Sequence, residues 1–247
     1  MVWLIIKGCN AIVTGGGRGI GRAISLALAE KGANVLVNYV RDETSASEVV
    51  EKIRKIGRKA VAVRGDVSKI EECRRIFEEA LKNFGSVDIL VNNAGVFPRS
   101  YAITDITEEE WDRVLSVNLK GAFLMTKVVV PHMIERRRGK IIFISSIAGK
   151  NGGTVGVAYA ASKAGLIGMT MSLARDLARY GITVNAIAPG PVRTSFLPDD
   201  LLEKLAKLSP QGRVAEPEEV AHAVIFLIEN DHVNGETINI NGGRYMD

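Results

Sequence analysis

Cysteine and histidine are scarce in this sequence: two Cys and three His among 247 residues. Cys9 and Cys73 are too few and too widely spaced for a zinc ribbon or a CxxC redox pair, and read as inert thiols of a reducing, cytoplasmic environment. His132, His222 and His232 have no metal-ligand spacing, so no metal is expected. No apolar run approaches the roughly 20 residues needed to cross a bilayer, so no membrane partner is expected. The apolar start, MVWLIIKGCN, runs directly into a glycine motif without a cleavage pattern and reads as the lead-in to a first strand. Ser/Pro-rich linkers and repeats are missing too, which favours one domain over residues 1–247. The charge excess is small, 32 basic against 28 acidic residues. The only dense basic run, Arg136-Arg137-Arg138 with Lys140, suits a helix C-terminus, and no aromatic residues interleave with it as in a nucleic-acid groove. Nucleic acid is therefore not expected as a partner.

Glycine is what the chain has in excess, 25 residues, about 10% against a usual ~7%. Around the glycines, short apolar runs alternate with helical periodicity. Strands are expected at 11–13, 35–37, 60–63, 89–91, 140–145, 183–186 and 237–240. Helices are expected at 20–31, 43–56, from a Ser68/Glu71 capping box to Phe84, from a Thr107/Glu110 capping box through Leu115, and at 159–180 and 217–228. Strands separated by helices imply βαβ units, so the expectation is a doubly wound (Rossmann) α/β fold with about seven parallel strands and helices on both faces.

Thr14-Gly15-Gly16-Gly17-Arg18-Gly19-Ile20-Gly21 joins the first strand to the first helix. Glycines there let the backbone approach a pyrophosphate, and the open N–H groups of the helix start attract its charge. A tight strand-to-helix turn would also explain them. There is no Lys-Ser/Thr after the loop, which argues against a nucleoside triphosphatase. At the end of the second strand, Tyr39 stands where an acid would accept from a ribose 2′-hydroxyl. Arg18 and Arg41 are near and could meet a 2′-phosphate, which favours NADP(H). Asp66 and Val67 are placed to flank the adenine.

Tyr159-Ala-Ala-Ser-Lys163 puts a phenol and an ammonium one helical turn apart. A cation beside the phenol is expected to lower its pKa from about 10 and make it a proton donor and acceptor. Ser146 ends the fifth strand, Asn92-Asn93-Ala94-Gly95 the fourth, and Pro189-Gly190-Pro191-Val192-Arg193-Thr194 the sixth, all at the carboxyl edge where such sheets bind ligands. Asn118, a middling helix former, sits inside the Thr107-capped helix.

In this order and spacing, these motifs resemble the short-chain dehydrogenase/reductase family over essentially the whole chain. The resemblance implies that Tyr159 is the general acid/base, that Lys163 lowers its pKa and holds the nicotinamide ribose, that Ser146 binds the substrate oxygen, and that Asn118 holds a water linking Lys163 to solvent. It also implies that Asn93, Ala94 and Gly95 line the cofactor and that Pro189, Gly190, Val192 and Thr194 reach its nicotinamide end. Val37-Asn38-Tyr39-Val40-Arg41, residues 158–178, 181–190, 212–221 and 240–247 are most similar to the 3-oxoacyl-(acyl carrier protein) reductases. That resemblance implies NADPH-dependent reduction of a 3-oxoacyl thioester in fatty acid synthesis, a homotetramer and an acyl carrier protein as partner. Arg137 matches one basic docking position of such enzymes. The other is Tyr180, with Arg179 displaced by one residue, and the lid segment 194–213 is a few residues short. A dehydrogenase of sugars or secondary alcohols is the alternative, and a non-catalytic NADP-binding sensor a remote one. The small residues Ala161, Ala164, Gly165 and Gly168 on the Tyr159 helix would admit close packing by another element, from the same chain or a second copy.

Overall fold

The computed structural model describes residues 6–194 and 198–246. Residues 1–5 of the expected lead-in lie outside the described residues. Seven parallel strands form one sheet in the order β3-β2-β1-β4-β5-β6-β7. They are β1 (Asn10–Val13), β2 (Asn34–Tyr39), β3 (Ala60–Arg64), β4 (Ile89–Asn92), β5 (Gly139–Ile144), β6 (Ile182–Pro189) and β7 (Thr237–Ile240). Of the five interior strands, β1, β4, β5 and β6 are buried along their full length and β2 all but at its ends, which is why they read as continuous apolar runs.

Successive residues of each strand enter opposite layers. Val13, Val35, Val37, Ile142 and Ile144 face a core shared with α1 (Gly19–Glu30), α2 (Glu43–Lys55) and α9 (Pro217–Glu229). Ile12, Leu36, Leu90, Ile141 and Phe143 face the other, shared with α3 (Ile70–Phe84), α5 (Gly121–Arg136) and α7 (Val157–Leu177). The helices omitted so far are α4 (Glu108–Leu115), the short α6 (Ala148–Asn151) and α8 (Asp199–Lys207). The strand order reverses between β1 and β4, whose carboxyl ends are in register, Val13 beside Val91. Loops leaving these two strands diverge to opposite faces and open a crevice there.

Two local expectations change. Ser68 does not cap α3: its hydroxyl donates to Asp66 Oδ1 at 2.7 Å, and Lys69 occupies the N-cap position. Glu71 turns to Arg74 instead, at 2.6 Å. With Lys69 as N-cap the helix starts one residue later than the box requires, so it never closes. Thr107 does cap α4, accepting from Glu110 N at 3.2 Å, but the Glu110 carboxylate leaves for Arg99 and Arg113. The reciprocal box forms at α9, between Glu216 and Glu219.

The helix that Thr107 opens runs on far beyond Leu115. A π-helical turn, Ser116–Lys120, joins α4 to α5 in one helix, Glu108–Arg136. Its length and apolar content would suffice to cross a bilayer, yet Leu124, Met125, Val129 and Met133 are packed into the core. It ends at Arg137, which has a left-handed backbone, φ 49°. The basic run is spent locally at this amino edge of the sheet. Arg136 and Arg138 both reach the buried Asp88, at 3.3 and 3.6 Å, and Lys140 pairs with Asp231 at 2.6 Å. Arg137 donates to the Arg179 carbonyl at 2.8 Å.

Candidate active site

The glycine loop and the Asn92–Gly95 loop are stitched together by Thr14. Its hydroxyl accepts from Asn93 N and Ala94 N, each at 3.0 Å, and donates to the Val91 carbonyl. Asn93 answers with its amide, donating to the carbonyls of Thr14 and Gly15 at 2.9 and 3.1 Å. From the other side, Asn38 accepts from Gly15 N through Oδ1 and from Gly16 N through its carbonyl. Its amide nitrogen donates to Val63 and Gly65. Neither Thr14 nor Asn38 was singled out from sequence. A polar residue buried to 1% exposure at the end of an apolar strand is the signal that marks each.

This frame leaves a cradle. A Cβ on Gly21 would overlap the Gly15 carbonyl oxygen, and one on Gly17 would press on the Ala46 backbone at 3.1 Å. Gly19 begins α1 with φ 50°, and Thr194 lies against it. The N-cap residue Arg18 makes no side-chain bond to the helix start, and the first turn has no acidic residue. Ile20 follows in that turn. Close-approaching backbone and an uncapped helix N-terminus suit a pyrophosphate, so the residues present fit a dinucleotide.

At the far end of the cradle, Tyr39 is half-buried. Burial, and the Glu43 carboxylate that it hydrogen-bonds, push its pKa up. Arg41 is exposed at the rim. Arg18 lies 3.4 Å from Asp42, an acid that the sequence reading passed over. Asp42 caps α2, accepting from Ser45 N at 3.0 Å and Ser45 Oγ at 2.8 Å. These bonds hold its carboxyl below the usual range. Asp66 accepts from Ser68 N and Oγ, and Val67 is buried against Gly121.

At the nicotinamide end expected from the motifs, β5 stops at Ile144 and α7 begins at Val157, which brings Ser146, Tyr159 and Lys163 together. The Tyr159 hydroxyl and Ser146 are hydrogen-bonded, and Ser146 Oγ accepts from Ala148 N at 3.1 Å. Lys163 is buried, its Nζ donating to the Ile144 carbonyl at 2.7 Å and lying 5.6 Å from the Tyr159 ring centroid. Burial depresses its pKa to about 8. The phenol itself departs from expectation. Burial raises Tyr159 to about 12, and only the bond to Ser146 opposes this. The ammonium faces the ring and spends a proton on a carbonyl, so it does not stabilise the phenolate as helical spacing suggests.

Asn118 sits in the π-helical turn, where an extra residue rotates it into the protein. Its Oδ1 accepts from Val96 N at 2.7 Å, and its Nδ2 donates to the Val96 carbonyl and Ser162 Oγ. Gly95 lies between Asn118 and Lys163: a Cβ there would be 3.4 Å from Asn118 Oδ1 and 3.6 Å from Lys163 Nζ. Pro189 closes β6, its carbonyl accepting from Ile147 N, and Gly190 N donates to Ile240. Val192 bridges to Ala215 and leads to Thr194 beside Gly19. Phe97 was missed altogether. Its ring stacks on Tyr159 with centroids 4.8 Å apart and planes 15° apart.

A family model described as short chain dehydrogenase matches residues 9–203. The chain belongs to the short-chain dehydrogenase family. Among similar members, a 3-oxoacyl-[acyl-carrier-protein] reductase of Staphylococcus epidermidis is 43% identical over 242 residues, covering 96% of this chain and 99% of that protein. A 3-oxoacyl-[acyl-carrier-protein] reductase of Synechocystis is 40% identical, covering 96% of both. A hydroxynaphthalene reductase-like protein of Metarhizium robertsii is 41% identical, covering 96% and 95%. In this short-chain dehydrogenase the cradle and the Ser146–Tyr159 pair occupy the same edge of the sheet, so a dinucleotide and a carbonyl compound can meet there.

Proposed function

We propose that the protein is a single-domain, NADPH-dependent reductase of 3-oxoacyl thioesters, acting in the cytoplasm in fatty acid synthesis. The observation that carries this reading is the hydrogen-bonded Ser146–Tyr159 pair with Lys163 beside it, on the same sheet edge as the glycine cradle. The similar carrier-protein reductases support the substrate class. NADPH, when bound, supplies a hydride to the substrate carbonyl carbon. Tyr159 gives its proton to the carbonyl oxygen, and Ser146 holds that oxygen by a hydrogen bond. Tyr159 stays protonated until it is used, because burial disfavours the phenolate. Lys163, held by one hydrogen bond on the Ile144 carbonyl, keeps two N–H donors for the nicotinamide ribose. Asn118 fixes the loop after Gly95 and, with its remaining lone pair, can hold a water on the Lys163 side. Arg18 and Arg41 at the Tyr39 rim support a 2′-phosphate and hence NADP(H) over NAD(H).

A homotetramer goes with this reading. On α7, Ala164 and Gly168 are exposed, and Phe123 and Met171 add apolar surface on the same side. Gly165 belongs to the chain's own packing, since a Cβ there would meet Leu119 at 2.7 Å.

A second reading, reduction of a free ketone, is favoured by Arg137. It is bound to Arg179 at the opposite edge of the sheet from Tyr159, so within one protomer it does not serve the cleft. The deciding experiment follows NADPH oxidation with acetoacetyl carrier protein, acetoacetyl-CoA and simple ketones and sugars in parallel. Preference for the thioesters is the expected result. Turnover of free ketones alone establishes the second reading.

A further inference from the structure

Phe97 has no part in the motifs that define the site, yet it makes the closest ring contact to Tyr159. Its loop is fastened at nearly every residue. Val96 gives both its N–H and its carbonyl to the Asn118 side chain, at 2.7 and 3.0 Å. The Phe97 carbonyl accepts from Arg113 Nη2 at 2.7 Å, and Arg99 N donates to Glu110 Oε1 at 2.6 Å. Glu110 and Arg113 are themselves joined by two hydrogen bonds, 2.7 and 2.8 Å. A loop held this way presents the ring in one place although 44% of the residue is exposed. Its hold on Tyr159 is that of a wall of the cleft and not of core packing.

We propose that Phe97 is a positioning residue for Tyr159: an aromatic wall, strapped to the α4–α5 helix, that fixes the plane of the phenol and screens it from water. This rests on the reading of Tyr159 as the proton donor. Parallel aromatic faces in contact exclude solvent from that side and oppose displacement of the phenol, so its oxygen stays beside Ser146. The charged group against the ring is Lys163, on the same helix. The Glu110–Arg113 ion pair behind the strap balances its own charge, and Ser146, after β5, is neutral. Screening by Phe97 therefore acts in the same sense as the burial that keeps the phenol protonated.

The test is ultraviolet titration of the full chain at the tyrosinate band, with and without NADPH, for wild type, Phe97→Ala and Phe97→Trp. Each is compared with its Tyr159→Phe counterpart, so that the difference isolates one of the five tyrosines. Phe97→Ala is expected to move the Tyr159 ionisation down by about one pH unit or more, toward the free value of about 10. Phe97→Trp is expected to restore it. In turnover, Phe97→Ala lowers kcat more than it raises KM and shifts the alkaline limb of the rate profile to lower pH. An unmoved titration in Phe97→Ala, or an equal shift in Phe97→Trp, overturns the proposal. The titration needs no turnover. A protein that reduces no carbonyl compound would overturn the reductase reading and leave this result standing on its own.

Discussion

Lys163 donates its hydrogen bond to the carbonyl of Ile144, at 2.7 Å, and not to the hydroxyl of Tyr159. The cation is thus anchored to the end of β5, buried and with its pKa depressed to about 8. A lysine whose folded pKa lies below its unfolded value costs stability wherever the unfolded chain binds the extra proton. That cost is fully present below about pH 8 and disappears as pH rises toward 10.5. Replacing it by an uncharged chain of similar length removes a cost of about 3 kcal/mol and leaves one carbonyl unpaired, at about 1 to 2 kcal/mol. Lys163→Met should therefore raise the melting temperature of the cofactor-free protein at pH 7, by a margin that shrinks above pH 8, while turnover is lost. A lower melting temperature at pH 7 would show that the ammonium stabilises the fold.

Tyr159→Phe keeps the ring that stacks on Phe97 and removes only the hydroxyl bonded to Ser146. NADPH binding, followed by its fluorescence, should stay within about twofold of wild type, and kcat should fall by about 10²- to 10⁴-fold. Retained turnover would remove the proton-donor role.

At the rim of the cradle, Arg41→Ala should weaken NADPH by about tenfold or more and NADH little, because the lost partner is a phosphate that only NADPH has. Asp42→Asn keeps an N-cap residue on α2 and releases Arg18 from its 3.4 Å partner. It should tighten NADPH selectively. Equal changes for both cofactors in paired titrations would refute the assignment of these arginines to the 2′-phosphate.

Thr14→Val keeps the shape of the side chain but deprives Asn93 N and Ala94 N of their common acceptor. Two partly buried donors left unpaired cost about 2 kcal/mol or more. Thermal unfolding should reveal that loss, and Thr14→Ser should recover it. The valine variant should also bind NADPH more weakly, since the two loops it unlocks form the cradle.

His132 accepts from Val87 N at 3.2 Å and packs edge-on against Phe77. Burial, with Arg136 nearby, lowers its pKa. The unfolded chain takes up the proton first as pH falls below about 6.5, so the stabilising contact is present above that value and is lost on acidification. Wild type should lose more stability between pH 7.5 and 5 than His132→Gln, which cannot titrate. Parallel pH profiles would contradict this.

The positions of the seven strands and the glycine loop were legible because parallel strands buried on both faces leave unbroken apolar runs, and because TGxxxGxG has a fixed place after the first of them. Ser146, Tyr159 and Lys163 come together as their positions on β5 and α7 suggest. Their electrostatics were not legible, since spacing puts Lys163 and Tyr159 on one face but does not say that the Ile144 carbonyl accepts the ammonium's hydrogen bond. The Ser68 box failed for a similar reason: a local pattern does not say that the helix starts one residue later, after Lys69. The π-helical turn left no periodic signal, because one inserted residue breaks the period. Phe97 was invisible because nothing in the sequence ties it to Tyr159.

The anchors of the 96–99 strap on the loop side are all main-chain atoms: Val96 N and O, Phe97 O and Arg99 N. None depends on which side chain position 97 bears. Exchange at that position is thus uncoupled from the integrity of the clamp, and a lineage could retune what the cleft accepts by single substitutions there without passing through unfolded intermediates. Selection on substrate and selection on folding act on different atoms of the same residue.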